Sequence, residues 1–140
     1  MKRSWLLLTV VACLLAAGAC EAAAPSSSPV SLAGTHWQVI SIAGRAPLPR
    51  NAPTLAFEAG RVSGTAGCNG YGSTAVSVAG NTISLKDLAM TAMGCVDQAV
   101  MEQETSYFQT LAAASRIAVA DGRLSLSGPR GELVFARVTP

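Results

Sequence analysis

Histidine is all but missing from this chain: His36 is the single one among 140 residues. Nucleophilic catalysis through a histidine base therefore has one candidate base. His36 lies beside Trp37 in a strand-like run, which suits an ordinary surface or half-buried role. No Cys-x-x-Cys pair occurs, so the usual local device for activating a thiol is missing. Gly60, Gly64, Gly67, Gly70 and Gly72 are spread through turn-like segments. None lies between a strand and a helix start, which excludes a phosphate-cradling loop. Carboxylates are few, and Asp87, Asp97, Glu102, Glu104, Asp121 and Glu132 fall mostly at expected caps, turns and helix surface. None forms a close pair suited to acid/base work. Catalytic residues, cofactors and a resident metal are accordingly not expected, and the chain reads as a non-enzyme.

Basic charge is equally scarce. The full chain carries 10 Lys and Arg against 8 Asp and Glu. Lys2 and Arg3 belong to an N-terminal segment that reads as a secretion signal, and without them the balance is zero. A neutral domain with scattered arginines has no footprint for nucleic acid. The signal itself has a short basic start, an apolar run from Trp5 to Ala16, and small residues at Ala17-Gly18-Ala19. The run is too short for a stable membrane-spanning helix.

The cleavage point admits two readings. Ordinary processing suits Ala17-x-Ala19. Lipoprotein processing suits Leu15-Ala16-Ala17-Gly18-Ala19-Cys20, with Cys20 as the acylated first residue. Residues 20–30 are Ala-, Ser- and Pro-rich without hydrophobic periodicity, as a flexible tether would be. The tether favours the lipid anchor. The expected organisation is a signal at 1–19, a lipid-anchored tether at 20–30 and one domain at 31–140. Glu21 is not the Asp that often retains lipoproteins in the inner membrane, which points to the outer one.

Cys13 falls in the signal and Cys20 is taken by lipid, leaving Cys68 and Cys95. An even pair in an oxidising compartment reads first as a structural disulfide. A reduced, buried pair is the alternative. Met90, Met93 and Cys95 form a Met-x-x-Met-x-Cys array of soft ligands suited to Cu(I). Period-2 geometry would send Met90 to the opposite face from Met93 and Cys95, which splits the array.

Within the domain a hairpin pattern recurs at Leu55 to Ser63, Val76 to Leu85 and Ile117 to Leu126. Gly80-Asn81 and Asp121-Gly122 can supply the positive φ of tight turns. Alternation assigns Leu55, Phe57, Val62, Val76, Val78, Ile83, Leu85, Ile117, Val119, Leu124 and Leu126 to one inner face. Flanking strands are expected at His36 to Ile42 and Glu132 to Val138, with a short one possible in Leu88 to Gly94. Arg45 to Pro53 is a proline-rich loop, and Gly67 to Gly72 is a turn-rich crossing. One helix is expected at about 97–114, capped by Asp97 and carrying Glu102 and Glu104 early. Val100, Met101, Tyr107, Phe108 and Leu111 form its apolar side. The fold class is mainly β (α+β): a curved antiparallel sheet or partly open barrel of about 7–9 strands, with the helix packed on it.

A set of short motifs carries a family resemblance. Gly67-Cys68-Asn69-Gly70 precedes Met90-Thr91-Ala92-Met93-Gly94-Cys95, which leads into a helix with Met101-Glu102-x-Glu104 and Phe108. The opening Gly34-Thr35-His36-Trp37 fits the same order. The chain resembles the META domain family of HslJ-like heat-shock proteins over nearly all of Leu32 to Val138. The resemblance implies a compact β-rich domain, often secreted or lipid-anchored, associated with heat shock, novobiocin tolerance and, in a protozoan branch, virulence. It implies structural roles for Gly67, Asn69, Gly70, Thr91, Met93, Glu102 and Phe108, and no defined reaction. The expected function is a monomeric stress-response or binding module on the periplasmic side of the envelope, meeting an unidentified envelope protein. The alternative is a periplasmic inhibitor of a protease or lysozyme.

Overall fold

The computed structural model describes residues 31–139; the expected signal, Cys20 and the expected tether lie outside them. Ten strands and one helix follow in chain order: β1 (Thr35–Ile42), β2 (Thr54–Glu58), β3 (Arg61–Thr65), β4 (Gly70–Ser73), β5 (Ala75–Ala79), β6 (Thr82–Lys86), β7 (Ala89–Met90), α1 (Gln98–Ala112), β8 (Arg116–Ala120), β9 (Arg123–Gly128) and β10 (Gly131–Val138). They form one antiparallel sheet in the order β5-β6-β8-β9-β10-β1-β2-β3-β4-β7. The sheet curls into a half-barrel, so that the Val76 N–H at one end donates to the Gly60 carbonyl near the other at 3.0 Å. The mainly β class with a helix on the curved sheet is as expected, and the described residues form ten strands where about seven to nine were expected.

Turn chemistry sets the hairpins. Asp121 and Gly122 both take positive φ, at 52° and 71°, which matches the twist of the strands they join, β8 and β9. Gly80 takes positive φ at the turn between β5 and β6. Seven of the eleven expected inward residues are buried, and Val76, Leu85 and Val119 pack half-buried against the core. Val78 is the correction, at 43 % exposed. It lies on the edge strand β5, whose only ladder partner is β6. Alternation gave it the right face, but the core does not reach that far along the hairpin.

In β1 the buried residues are Thr35, Trp37, Val39 and then Ile42, so the alternation changes phase. Val39 pairs with Phe135 and Ser41 with Val134, leaving Ile40 as an extra residue in the ladder. This β-bulge moves Ile42 to the inner face and turns Ile40 outward. β1 lies between β2 and β10, so strands from the two ends of the domain meet in the middle of the sheet.

The helix begins where Asp97 accepts from the Ala99 N–H at 2.8 Å, as a cap should. Its inward stripe is Val100, Glu104, Tyr107 and Leu111, at helical spacing. Met101 does not join the core; it is 43 % exposed, one position off the stripe. Phe108 is half-buried and meets Tyr71 edge to face at 6.5 Å. At its far end the helix passes close over β9: a Cβ on Gly128 would lie 2.0 Å from the Ala113 carbonyl oxygen. Only glycine fits there.

Candidate functional site

The Gly-Cys-Asn-Gly segment, the Thr-x-Met-x-Cys segment and the helix meet at one corner of the half-barrel, while the opening Gly34 to Trp37 lies apart at the start of β1. Cys68 and Cys95 are joined by a disulfide across a sequence separation of 27. Asn69, beside Cys68, is buried and acts as a hub. Its Oδ1 accepts from the Thr91 hydroxyl at 2.8 Å and from the Met93 N–H at 2.7 Å. Its Nδ2 donates to Glu104 Oε1 at 2.7 Å and points toward Cys95 Sγ at 3.6 Å. The Thr91 N–H donates to the Gly70 carbonyl, and the Gly70 N–H donates to the Thr91 hydroxyl. Asparagine suits this place because its side chain both donates and accepts. Gly67 takes φ of 135°, a value that disfavours any side chain there.

Glu104 closes the corner from the helix. Its Oε2 accepts from the Asn69 N–H at 2.6 Å and from the Cys68 N–H at 3.2 Å. With the Asn69 amide this makes three hydrogen bonds to one buried carboxylate. Among the described residues no buried side-chain nitrogen or oxygen lacks a partner. The expected motif acid, Glu102, instead stands exposed and accepts from Gln98 within the helix. The correction follows from spacing: Glu104 lies four residues from Val100 and three from Tyr107, on the inward stripe. That stripe was the signal available in the sequence, since a carboxylate on it must find donors inside. Helix surface is therefore the wrong place for Glu104.

Below this corner lies a second polar contact. The hydroxyls of Tyr71 and Tyr107 are 2.6 Å apart, and Tyr71 donates to the Thr54 carbonyl at 2.7 Å. Burial raises the pKa of Tyr71, and the hydrogen bond with Tyr107 partly offsets it. Burial also raises Tyr107, followed by repulsion from Tyr71 and their hydrogen bond. The unfolded chain loses these protons near pH 10, while the folded one holds them. Stability is therefore fully present below about pH 10 and falls as pH rises toward the folded values. These are the only two tyrosines. Alkaline titration should show tyrosinate absorbance appearing together with loss of the far-ultraviolet circular dichroism. Tyrosine ionisation at pH 10 in a chain that keeps its fold would refute this.

The Arg45 to Pro53 loop contains no strand and is fastened to the helix. Gln103 Nε2 donates to the Asn51 carbonyl at 2.7 Å, and Gln103 Oε1 accepts from the Leu48 N–H. His36 faces outward on β1. Met90 packs half-buried against the core, whereas Met93 is 58 % exposed. Only Ala89 and Met90 are in a strand, so period-2 geometry does not extend to Met93 and Cys95. Beyond the disulfide, Met93, Val96 and Met101 are all exposed, with Val96 and Met101 lining a shallow groove along the helix.

The META domain family pattern matches residues 30–139. The chain belongs to the META domain family. No curated protein matches it. Two proteins solved by NMR are similar in structure. One is 21 % identical with a TM-score of 0.64, the match covering 78 % of this chain and 93 % of the other. The second, from Burkholderia xenovorans, is 23 % identical with a TM-score of 0.63, covering 78 % and 85 %. Both likenesses concern the fold. In this META domain the Gly-Cys-Asn-Gly segment, the Thr-x-Met-x-Cys segment and the helix form one hydrogen-bonded unit.

Proposed function

We propose that this META domain protein is a non-enzymatic binding module of the cell envelope, monomeric and tied to stress response. The signal at 1–19 exports it, and lipid on Cys20 holds it to the outer membrane on the periplasmic side. One observation carries the reading. The Cys68–Cys95 disulfide braces a corner on which Met93, Val96 and Met101 stand exposed. A disulfide suits an oxidising compartment, and exposed apolar side chains beside it suit an unidentified envelope protein as partner. The buried carboxylate of this corner makes three structural hydrogen bonds, which supports a non-catalytic role. The neutral charge balance of residues 20–140 argues against nucleic acid as partner.

Mass spectrometry of the mature protein should find Cys20 first, with added fatty-acid mass. A deletion strain should regain envelope-stress tolerance from the wild-type gene and not from a Met93→Ser, Val96→Ser, Met101→Ser variant of equal abundance. A retained Met1 would sink the anchor, and full rescue by the variant would sink the surface.

The inhibitor reading draws support from the Arg45 to Pro53 loop, which Gln103 holds in a fixed shape. Inhibition of a periplasmic protease or lysozyme, lost on shortening that loop, would establish it in place of the first.

A further inference from the structure

The braced corner contains more than a disulfide. The sulfurs of Cys68 and Cys95 and a carboxylate oxygen of Glu104 all lie within 4.8 Å of one another. We propose that reduction of Cys68–Cys95 by a dithiol converts this corner into a Zn²⁺ site, with two thiolates and the Glu104 carboxylate as ligands. The inference does not rest on the envelope reading.

The chemistry balances. The reductant's two thiols become a disulfide, and their two protons and two electrons pass to Cys68 and Cys95. Zn²⁺ then displaces both thiol protons and forms two Zn–S bonds. Zinc takes sulfur and carboxylate donors together in a tetrahedral arrangement, whereas Cu(I) prefers sulfur alone.

The surroundings favour this set of ligands. The Cα atoms of the two cysteines are 6.2 Å apart, so side-chain rotation alone can open the sulfurs around an ion. A carboxylate offers about four acceptor positions, and Glu104 uses three of them. Those bonds fix its direction and leave a lone pair for metal. Asn69 Nδ2, 3.6 Å from Cys95 Sγ, is placed to donate toward a thiolate, as outer partners of metal ligands commonly do. Both cysteines are half-exposed, which gives an entry path and leaves a fourth position for water.

The test uses the full domain, reduced with a phosphine and titrated anaerobically. Cd²⁺ is followed by its sulfur-to-metal charge-transfer absorbance, and Zn²⁺ by competition with a chromophoric chelator. One metal per chain is expected in the reduced protein, with none bound by the oxidised protein. Cys68→Ser or Cys95→Ser should abolish binding, and Glu104→Gln should weaken it by about tenfold or more. Equal Zn²⁺ affinity in reduced and oxidised protein, or in Glu104→Gln, would overturn the proposal. If that variant does not fold, X-ray absorption at the zinc edge of the reduced wild type decides. Two sulfurs with oxygen neighbours support the site; four sulfurs or an all-oxygen shell overturn it.

Discussion

Replacing Glu104 by alanine is expected to lower the stability of the domain by about 3–4 kcal/mol. The change removes three hydrogen bonds and leaves the N–H groups of Cys68 and Asn69 and the Asn69 amide without their acceptor. A bond to a carboxylate contributes about 1.5–3 kcal/mol, and an orphaned buried donor costs about 1–3. These do not add in full, because Asn69 retains its bonds to Thr91 and Met93 and water can enter the space left behind. Urea denaturation should show a lower midpoint at unchanged slope. Glu102→Ala is the control, since Glu102 is exposed and should shift the midpoint by about 0.5 kcal/mol or less. Similar midpoints for the two variants would show that the buried network does not hold the corner.

Converting both Cys68 and Cys95 to alanine is expected to cost about 3–4 kcal/mol as well, by a different route. The bridge closes a loop of separation 27. On the chain-entropy account, a loop of that size restricts the unfolded state by about 3–4 kcal/mol. That is a large share of the roughly 5–15 kcal/mol that holds a domain together. The loss should appear equally on adding reductant to the wild type and should vanish when reductant is added to the double variant. A wild type whose denaturation midpoint ignores reductant would contradict the bridge. Cys68 and Asn69 are adjacent, so the disulfide and Glu104 brace the same segment. Combining the two changes should therefore depart from simple addition.

Much of the sheet was legible because its strands alternate. Leu55, Phe57, Val62, Ile117, Leu124 and Leu126 face inward because period 2 and a two-residue turn leave no other register. The helix start was legible in Asp97, whose side chain does what its position promised. What escaped were features that depend on partners far away in the chain. Nothing in the sequence around Ile40 announces a bulge; it arises in the ladder with β10. Val78 alternates correctly and is still exposed, because burial depends on how far the neighbouring strands extend. At the motif corner the segments were legible and the acid was not. Glu102 and Glu104 both sit in the first half of the helix, and only the stripe from Val100 to Leu111 separates them. The tyrosine pair was likewise hidden, since Tyr71 and Tyr107 come together only once β4 and α1 are docked.

The placement of β1 between β2 and β10 has a consequence for synthesis. Its second ladder partner is supplied by Gly131 to Val138, the last of the described strands to be synthesised. A nascent chain that has reached residue 130 can build the local hairpins, yet its central strand is paired on one side only and Phe135 has not arrived to meet Tyr107. Completion of the native sheet thus waits for Gly131 to Val138, and until then one whole edge of β1 stands without a ladder partner.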